Sequence, residues 1–146
     1  MEHYLYIFFT GIRRKSSTIL SHQKNATENN DPETIKNLHQ VQNLGLQIAS
    51  ALKNNNPKKF GELMHEHWSL KRMRAKTTNR KIDKWYDMAL KNGAIGGKVM
   101  GAGGGGFFLF YCDKNATEMI KVLEKNGLQH IPFNFDYHGS KIIVDF

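Results

Sequence analysis

Lys98-Val99-Met100-Gly101-Ala102-Gly103-Gly104-Gly105-Gly106-Phe107-Phe108-Leu109-Phe110-Tyr111-Cys112 is the stretch whose reading decides the fold. From Gly101 to Gly106 no side chain is larger than a methyl group. An apolar, aromatic run follows at once, Phe107 to Tyr111, with the pattern of a buried strand. A backbone without Cβ atoms adopts positive φ readily, can curl its N–H groups into a concave anion site, and lets a ligand or a second chain come close. Lys98 to Met100 reads as a short strand before the loop.

Two nucleotide motifs fail on context. Gly101-x-Gly103-x-x-Gly106 has the letters of the dinucleotide fingerprint, but that motif opens a helix whose N-terminus receives the pyrophosphate. Here an aromatic strand follows. The Walker phosphate loop ends in Gly-Lys-Ser/Thr, and this loop ends in Gly106-Phe107. What survives is a glycine loop between two strands. It either covers phosphates, as a kinase loop does, or is a hairpin connection without a ligand.

Outward from the loop, Tyr4 to Thr10 is aromatic and β-branched and reads as a strand ended by Thr10-Gly11. Arg13, Arg14, Lys15, Ser16 and Ser17 then place cations and hydroxyls at one strand end, which suits a phosphate or a sugar. The alternative is a helix start with a basic first turn, which the helix dipole disfavours. Gln23 to Asp31 is polar and reads as a surface loop. Asp31-Pro32-Glu33 opens a helix to about Lys53, with Ile35, Leu38, Val41, Gly45, Ile48 and Leu52 as its stripe and Leu44 and Ala49 beside it. Asn56-Pro57 opens a second helix carrying Phe60, Leu63, Met64, His67 or Trp68, and Leu70, with a basic tail from Lys71 to Lys76. His65-x-His67 places its imidazoles on different sides of that helix, so no metal site is assigned. Thr77-Thr78-Asn79 caps a third helix with Ile82, Trp85, Tyr86, Ala89 and Leu90 inward and Gly93 at its end. Asp113 is expected to cap a last helix, with Ala116, Met119, Ile120 and Leu123 inward. His130 to Phe135 and Lys141 to Phe146 read as two further strands joined by Asp136 to Ser140.

This order of elements argues an α+β fold, an antiparallel sheet with helices packed on one face. The chain has 146 residues and a formal charge of +8, enough for one domain with a core. Its cations are dispersed, so a solvated, positively biased surface accounts for most of them. One cysteine, Cys112, excludes an intrachain disulfide and reads as a buried structural thiol, compatible with a reducing, cytoplasmic setting. No apolar run approaches membrane-span length, and no membrane partner is expected.

The GAGGGG loop preceded by Gly96-Gly97-Lys98 resembles the third motif of the GHMP kinases, small-molecule kinases named for galactose, homoserine, mevalonate and phosphomevalonate. Tyr6 to Arg14, Phe60 to Trp68 and Ile95 to Lys98 are similar to the sugar-kinase branch, in the family's order, over nearly the whole chain. The resemblance is to the C-terminal half of such an enzyme. It implies a ferredoxin-like domain spanning residues 1–146, with the N-terminal ATP-binding domain absent. It implies phosphoryl transfer from ATP, with Mg²⁺, to a sugar phosphate. The acceptor it implies is a heptose 7-phosphate at its anomeric hydroxyl, in cell-surface polysaccharide precursor synthesis. Gly101, Ala102, Gly103, Gly104, Gly105 and Gly106 would form the phosphate-side loop. Thr10, Gly11, Arg13 and Lys98 would contact substrate or phosphate. No catalytic residue is assigned, because the Gly-Leu-Gly-Ser-Ser type loop and the acidic catalytic residue of the family belong to the N-terminal domain. The fragment alone is expected to be inactive, and a homo-oligomer is compatible. Other readings are a basic module for single-stranded RNA, which the continuous apolar run disfavours, and a structural domain without a ligand.

Overall fold

A computed structural model describes residues 1–12, 31–75, 79–101 and 105–140, with the backbone alone described at 73–75. Elements in chain order are β1 (Leu5–Phe9), α1 (Pro32–Lys53), α2 (Pro57–Ala75), α3 (Arg80–Lys91), β2 (Gly96–Val99), β3 (Phe107–Tyr111), α4 (Ala116–Lys125) and β4 (Gln129–Ile131). A 3₁₀ turn, Glu2–Tyr4, precedes β1. The strands form one four-stranded sheet in the order β2-β3-β1-β4, antiparallel at every pairing. This is the ferredoxin-like order that the family resemblance implies. Before β2 the usual single crossover helix is replaced by α1, α2 and α3.

Local chemistry sets the helix starts. Asp31 caps α1, its carboxylate accepting from the Thr34 N–H at 2.8 Å, with Pro32 in the first turn. Asn56 Oδ1 accepts from the Lys59 N–H at 3.1 Å before α2, and Asn79 caps α3 through the Lys81 N–H at 2.9 Å. The cap expected from Asp113 is not made. Cys112 Sγ donates to the Lys114 carbonyl at 2.8 Å, and the helix starts at Ala116 after Asn115, which has φ 60° and no side-chain cap bond.

Strand parity divides the sheet. Tyr6 and Phe8 of β1, Phe108 and Phe110 of β3, and Val99 of β2 lie on the face covered by helices. There Phe8, Phe108, Phe110 and Val99 are fully buried with Trp68 of α2, Ile82, Trp85, Tyr86 and Ala89 of α3, and Met119 and Leu123 of α4. Each such side chain contributes about 1.5–3 kcal/mol relative to exposure. The other parity places Ile7, Phe9, Phe107, Leu109, Lys98 and Ile131 on the opposite face. The run Phe107 to Tyr111 is therefore not uniformly buried, as its apolar sequence suggests: Phe107 is 40% exposed and Leu109 half-buried.

At the β2 edge α2 comes unusually close. A Cβ on Gly96 would lie 2.0 Å from the Gly61 carbonyl oxygen, and one on Gly61 would lie 2.5 Å from the Tyr111 ring. Phe60 and Met64 of α2 then join Leu5 and Tyr111 in a second cluster. Helix α1 packs on α2 through Leu44, Ile48 and Ala51. This stripe differs from the expected one: Leu52 is 46% exposed, and Gly45 and Ala49 face solvent. A helix that packs on one other helix buries a narrow face, and the i, i+4, i+7 set supplies it.

β4 is shorter than the expected strand to Phe135. Pro132 has no N–H to extend the ladder, and the chain continues irregularly through Phe133 and Phe135. Lys141 to Phe146 lies outside the described residues. Among the described residues no helix is long and apolar enough to cross a membrane.

Candidate functional site

The glycine loop leaves the sheet at the end where β1 also exits. Its last rung is Met100 N–H to the Phe107 carbonyl, 2.8 Å, so the loop proper is Gly101 to Gly106. On the β1 side the ladder does not stop at Phe9↔Phe107. The Gly106 carbonyl accepts from the Thr10 N–H and from the Thr10 hydroxyl, both at 2.9 Å. The Gly106 N–H donates to the Ile12 carbonyl at 3.0 Å, past Gly11 with its φ of 67°. Ile12 N–H returns to the Thr10 hydroxyl oxygen at 3.2 Å. Thr10-Gly11-Ile12 is thus a bulged extension of β1 wrapped on the end of the loop, a device common beside active sites.

Gly105 shows why no side chain is tolerated there. Its Cβ would stand 2.6 Å from the Ile12 carbonyl oxygen and 2.8 Å from Ile12 Cγ2. Two segments separated by most of the chain, each singled out in the sequence, are in direct backbone contact. Thr10 is 3% exposed, and both hydrogen-bonding roles of its hydroxyl are used inside this junction. Arg13 follows Ile12 directly in the chain but lies outside the described residues, as do Ala102, Gly103 and Gly104.

Lys98 lies on the open face, opposite Leu109 in the ladder. Burial among apolar neighbours holds its ammonium below the usual lysine range. A cation so deprived of water gains from an anionic partner. At the start of the loop, the Lys71 ammonium of α2 donates to the Gly101 carbonyl. Sequence reasoning treated Lys71 as one of several cations in a helix tail. Helical periodicity carried no sign of which of them reaches the loop.

A second polar feature was also illegible. His65 Nδ1 and the Tyr86 hydroxyl lie 2.9 Å apart between α2 and α3, with their rings stacked. Burial pushes the Tyr86 phenol far up, partly offset by the Gly97 backbone N–H and by Arg72. The phenol is therefore held neutral, and the direction of its bond with His65 Nδ1 follows from the imidazole tautomer. Among the described residues no group of three or more His, Cys, Asp or Glu side chains gathers to hold a metal.

The four-stranded antiparallel sheet with its helices has the fold of a GHMP kinase C-terminal domain. The family model for the C-terminal domain of GHMP kinases matches residues 48–128, and the chain belongs to that family. It is 27% identical over 137 residues to D-glycero-alpha-D-manno-heptose 7-phosphate kinase of Campylobacter jejuni, covering 92% of this chain and 40% of that protein. Among solved structures, a Methanococcus jannaschii mevalonate kinase is 26% identical with a TM-score of 0.65, covering 87% of this chain and 38% of that one. The Lin0012 protein from Listeria innocua, 20% identical, has a TM-score of 0.74 over 89% of this chain and 38% of that one. The chain thus spans well under half the length of these relatives.

Proposed function

We propose that this chain, residues 1–146, is a single domain forming the C-terminal half of an ATP-dependent sugar kinase. Its acceptor is a sugar phosphate, a heptose 7-phosphate phosphorylated at the anomeric hydroxyl, and the setting is cytoplasmic. The likeness to the Campylobacter heptose phosphate kinase supports the substrate class. The observation that carries the reading is the Thr10–Ile12 junction with Gly105 and Gly106, which holds a side-chain-free loop at the sheet end. A loop without bulky side chains is suited to anionic oxygens approaching its backbone.

In this reading ATP supplies the transferable phosphoryl group, and the N-terminal half supplies the main phosphate loop, the Mg²⁺ ligands and the acidic catalytic residue. This chain positions. Gly101 to Gly106 closes over the phosphates from the second side, and Lys98 and Arg13 offer charge to a phosphate. Thr10 and Gly11 shape the junction that aims the loop. Preorganised donors aimed at a transferring phosphoryl group lower the barrier by stabilising its oxygens where they stand in the transition state.

The test uses the full-length polypeptide, with the N-terminal half encoded upstream, incubated with ATP, Mg²⁺ and a panel of sugar phosphates. Heptose 7-phosphate is expected to be the best acceptor, and the 146-residue chain alone is expected to leave ATP intact. Turnover by the chain alone would overturn the two-domain reading.

One observation favours the RNA reading. Phe9 and Phe107 stand on the open sheet face with ring centroids 5.0 Å apart, Phe107 partly exposed. Base-stacking sheets use such positions. Tight RNA binding with a steep salt dependence would favour that reading over the kinase one.

A further inference from the structure

The two ends of the glycine loop are held by different means. At its last residues the backbone of Ile12 and both the backbone and hydroxyl of Thr10 hold Gly106, and Gly105 is wedged against Ile12. At its first residue, the described side chain that reaches it from another element is Lys71, whose ammonium donates to the Gly101 carbonyl oxygen.

Lys71 leaves from a turn of α2 that is itself tied down. The next residue, Arg72, pairs in the other direction, its Nε 3.0 Å from Asp83 Oδ1 and a terminal nitrogen 3.8 Å from Asp87 Oδ1, both on α3. The same guanidinium lies 5.8 Å from the centroid of the buried Tyr86 ring. Seven residues before Arg72 on α2, His65 meets the Tyr86 hydroxyl. The end of α2 therefore has a defined position on α3, and a lysine projecting from it has a defined reach.

We propose that Lys71 is a positioning residue of the glycine loop, acting at the Gly101 carbonyl where the loop begins. The argument is geometric and electrostatic. A cation bonded to the Gly101 carbonyl restrains the loop at the residue where it leaves β2. It also neutralises the negative end of a carbonyl dipole that would oppose an approaching anion. Lys71 does this without touching substrate, and Gly101, with φ 82°, supplies the conformation. The inference rests on the kinase reading for its consequence in catalysis, but not for the contact itself.

Two measurements separate these. In the 146-residue chain, amide exchange over residues 98–107 is compared among wild type, Lys71→Ala and Lys71→Arg. Lys71→Ala is expected to speed exchange in that segment about threefold or more, with protection on β1 and α3 unchanged and wild-type behaviour in Lys71→Arg. Unchanged exchange in Lys71→Ala overturns the proposal. In the full-length polypeptide, Lys71→Ala is expected to raise KM for ATP about fivefold or more, with KM for the sugar phosphate and Tm unchanged and rescue by Lys71→Arg. An unchanged KM for ATP in an active enzyme also overturns it. If the wild-type full-length polypeptide transfers no phosphoryl group while the exchange result holds, the kinase reading falls and the hold of Lys71 on the loop stands.

Discussion

Phe107 and Phe108 are neighbours in one strand, and they face two different environments. Phe108 is fully buried, stacked 4.9 Å from Phe110 and packed beneath Trp68 and Tyr86. Phe107 is 40% exposed and meets Phe9 on the opposite face, at the end away from the Leu5 and Tyr111 pair that α2 covers. The same residue type therefore stabilises the fold at one position and furnishes an unfilled surface at the next. Composition cannot separate them, because strand parity and the placement of the helices decide.

The largest effects belong to the covered side and its edge. Gly96→Val should abolish folding, since its Cβ would press on the Gly61 carbonyl and the His65 N–H, and neither backbone can yield without moving α2. Phe108→Ala should cost about 3–5 kcal/mol, read as a lower urea midpoint with an unchanged slope. A loss under about 1 kcal/mol there would mean that the two faces are energetically alike, and the comparison would fail.

Much of this division could be read from the sequence. Ile82, Trp85, Tyr86 and Ala89 recur at helical spacing, and all four are buried. Met119 and Leu123 behave the same way, and Trp68 is core, as its place in a helical stripe indicates. What failed were features set by partners far away in sequence. Leu52 looked inward, but the apolar cluster between α1 and α2 takes Leu44, Ile48 and Ala51 and leaves Leu52 exposed. Asp113 looked like a cap, but after the turn held by Cys112 the helix starts at Ala116, with Asn115 in the cap position. At the site, Thr10-Gly11 and the glycines were visible as separate motifs, but no local rule states that Gly106 bonds to Ile12. Lys71 was hidden among other cations for the same reason.

The loop junction should give the next largest effect. Gly105→Ala must displace Ile12, so in the full-length polypeptide kcat/KM should fall about tenfold, corresponding to ~1.4 kcal/mol in transition-state binding. Thr10→Val removes the hydroxyl bonds to Gly106 and Ile12 and should act in the same direction, at a local cost of about 1 kcal/mol. If Gly105→Ala lowers Tm while activity per folded molecule stays constant, the loop is a hairpin connection and nothing more.

On the open face, Phe107→Ala should cost about 0.5–1 kcal/mol, the loss of one partly exposed aromatic contact with Phe9. Measured beside Phe108→Ala, it gives the contrast between faces at adjacent positions of a single strand. Equal losses in the two variants would show that Phe107 is covered in solution.

The smallest effect is electrostatic and has a sign that can be checked. Lys98 sits on the open face with its pKa held below the ordinary 10.5 by desolvation. The unfolded chain restores its hydration, so the folded state binds its proton less tightly. Below the folded pKa the ammonium is charged in both states and the full desolvation cost opposes folding. That cost is relieved as pH rises through the folded pKa toward 10.5. Lys98→Met keeps the bulk and removes the charge. It should therefore raise Tm at pH 7, by about 2 °C or less because water still screens a partly exposed group. The gain over wild type should shrink as the pH approaches the unfolded value. In the full-length polypeptide the same change should lower kcat/KM more weakly than Gly105→Ala, because one cation on the face contributes less than the shape of the loop. A Tm that falls at pH 7, or a difference that does not vary with pH, would show that Lys98 already has a counter-charge on that face. The open side would then be an electrostatically completed surface rather than one that awaits an anion.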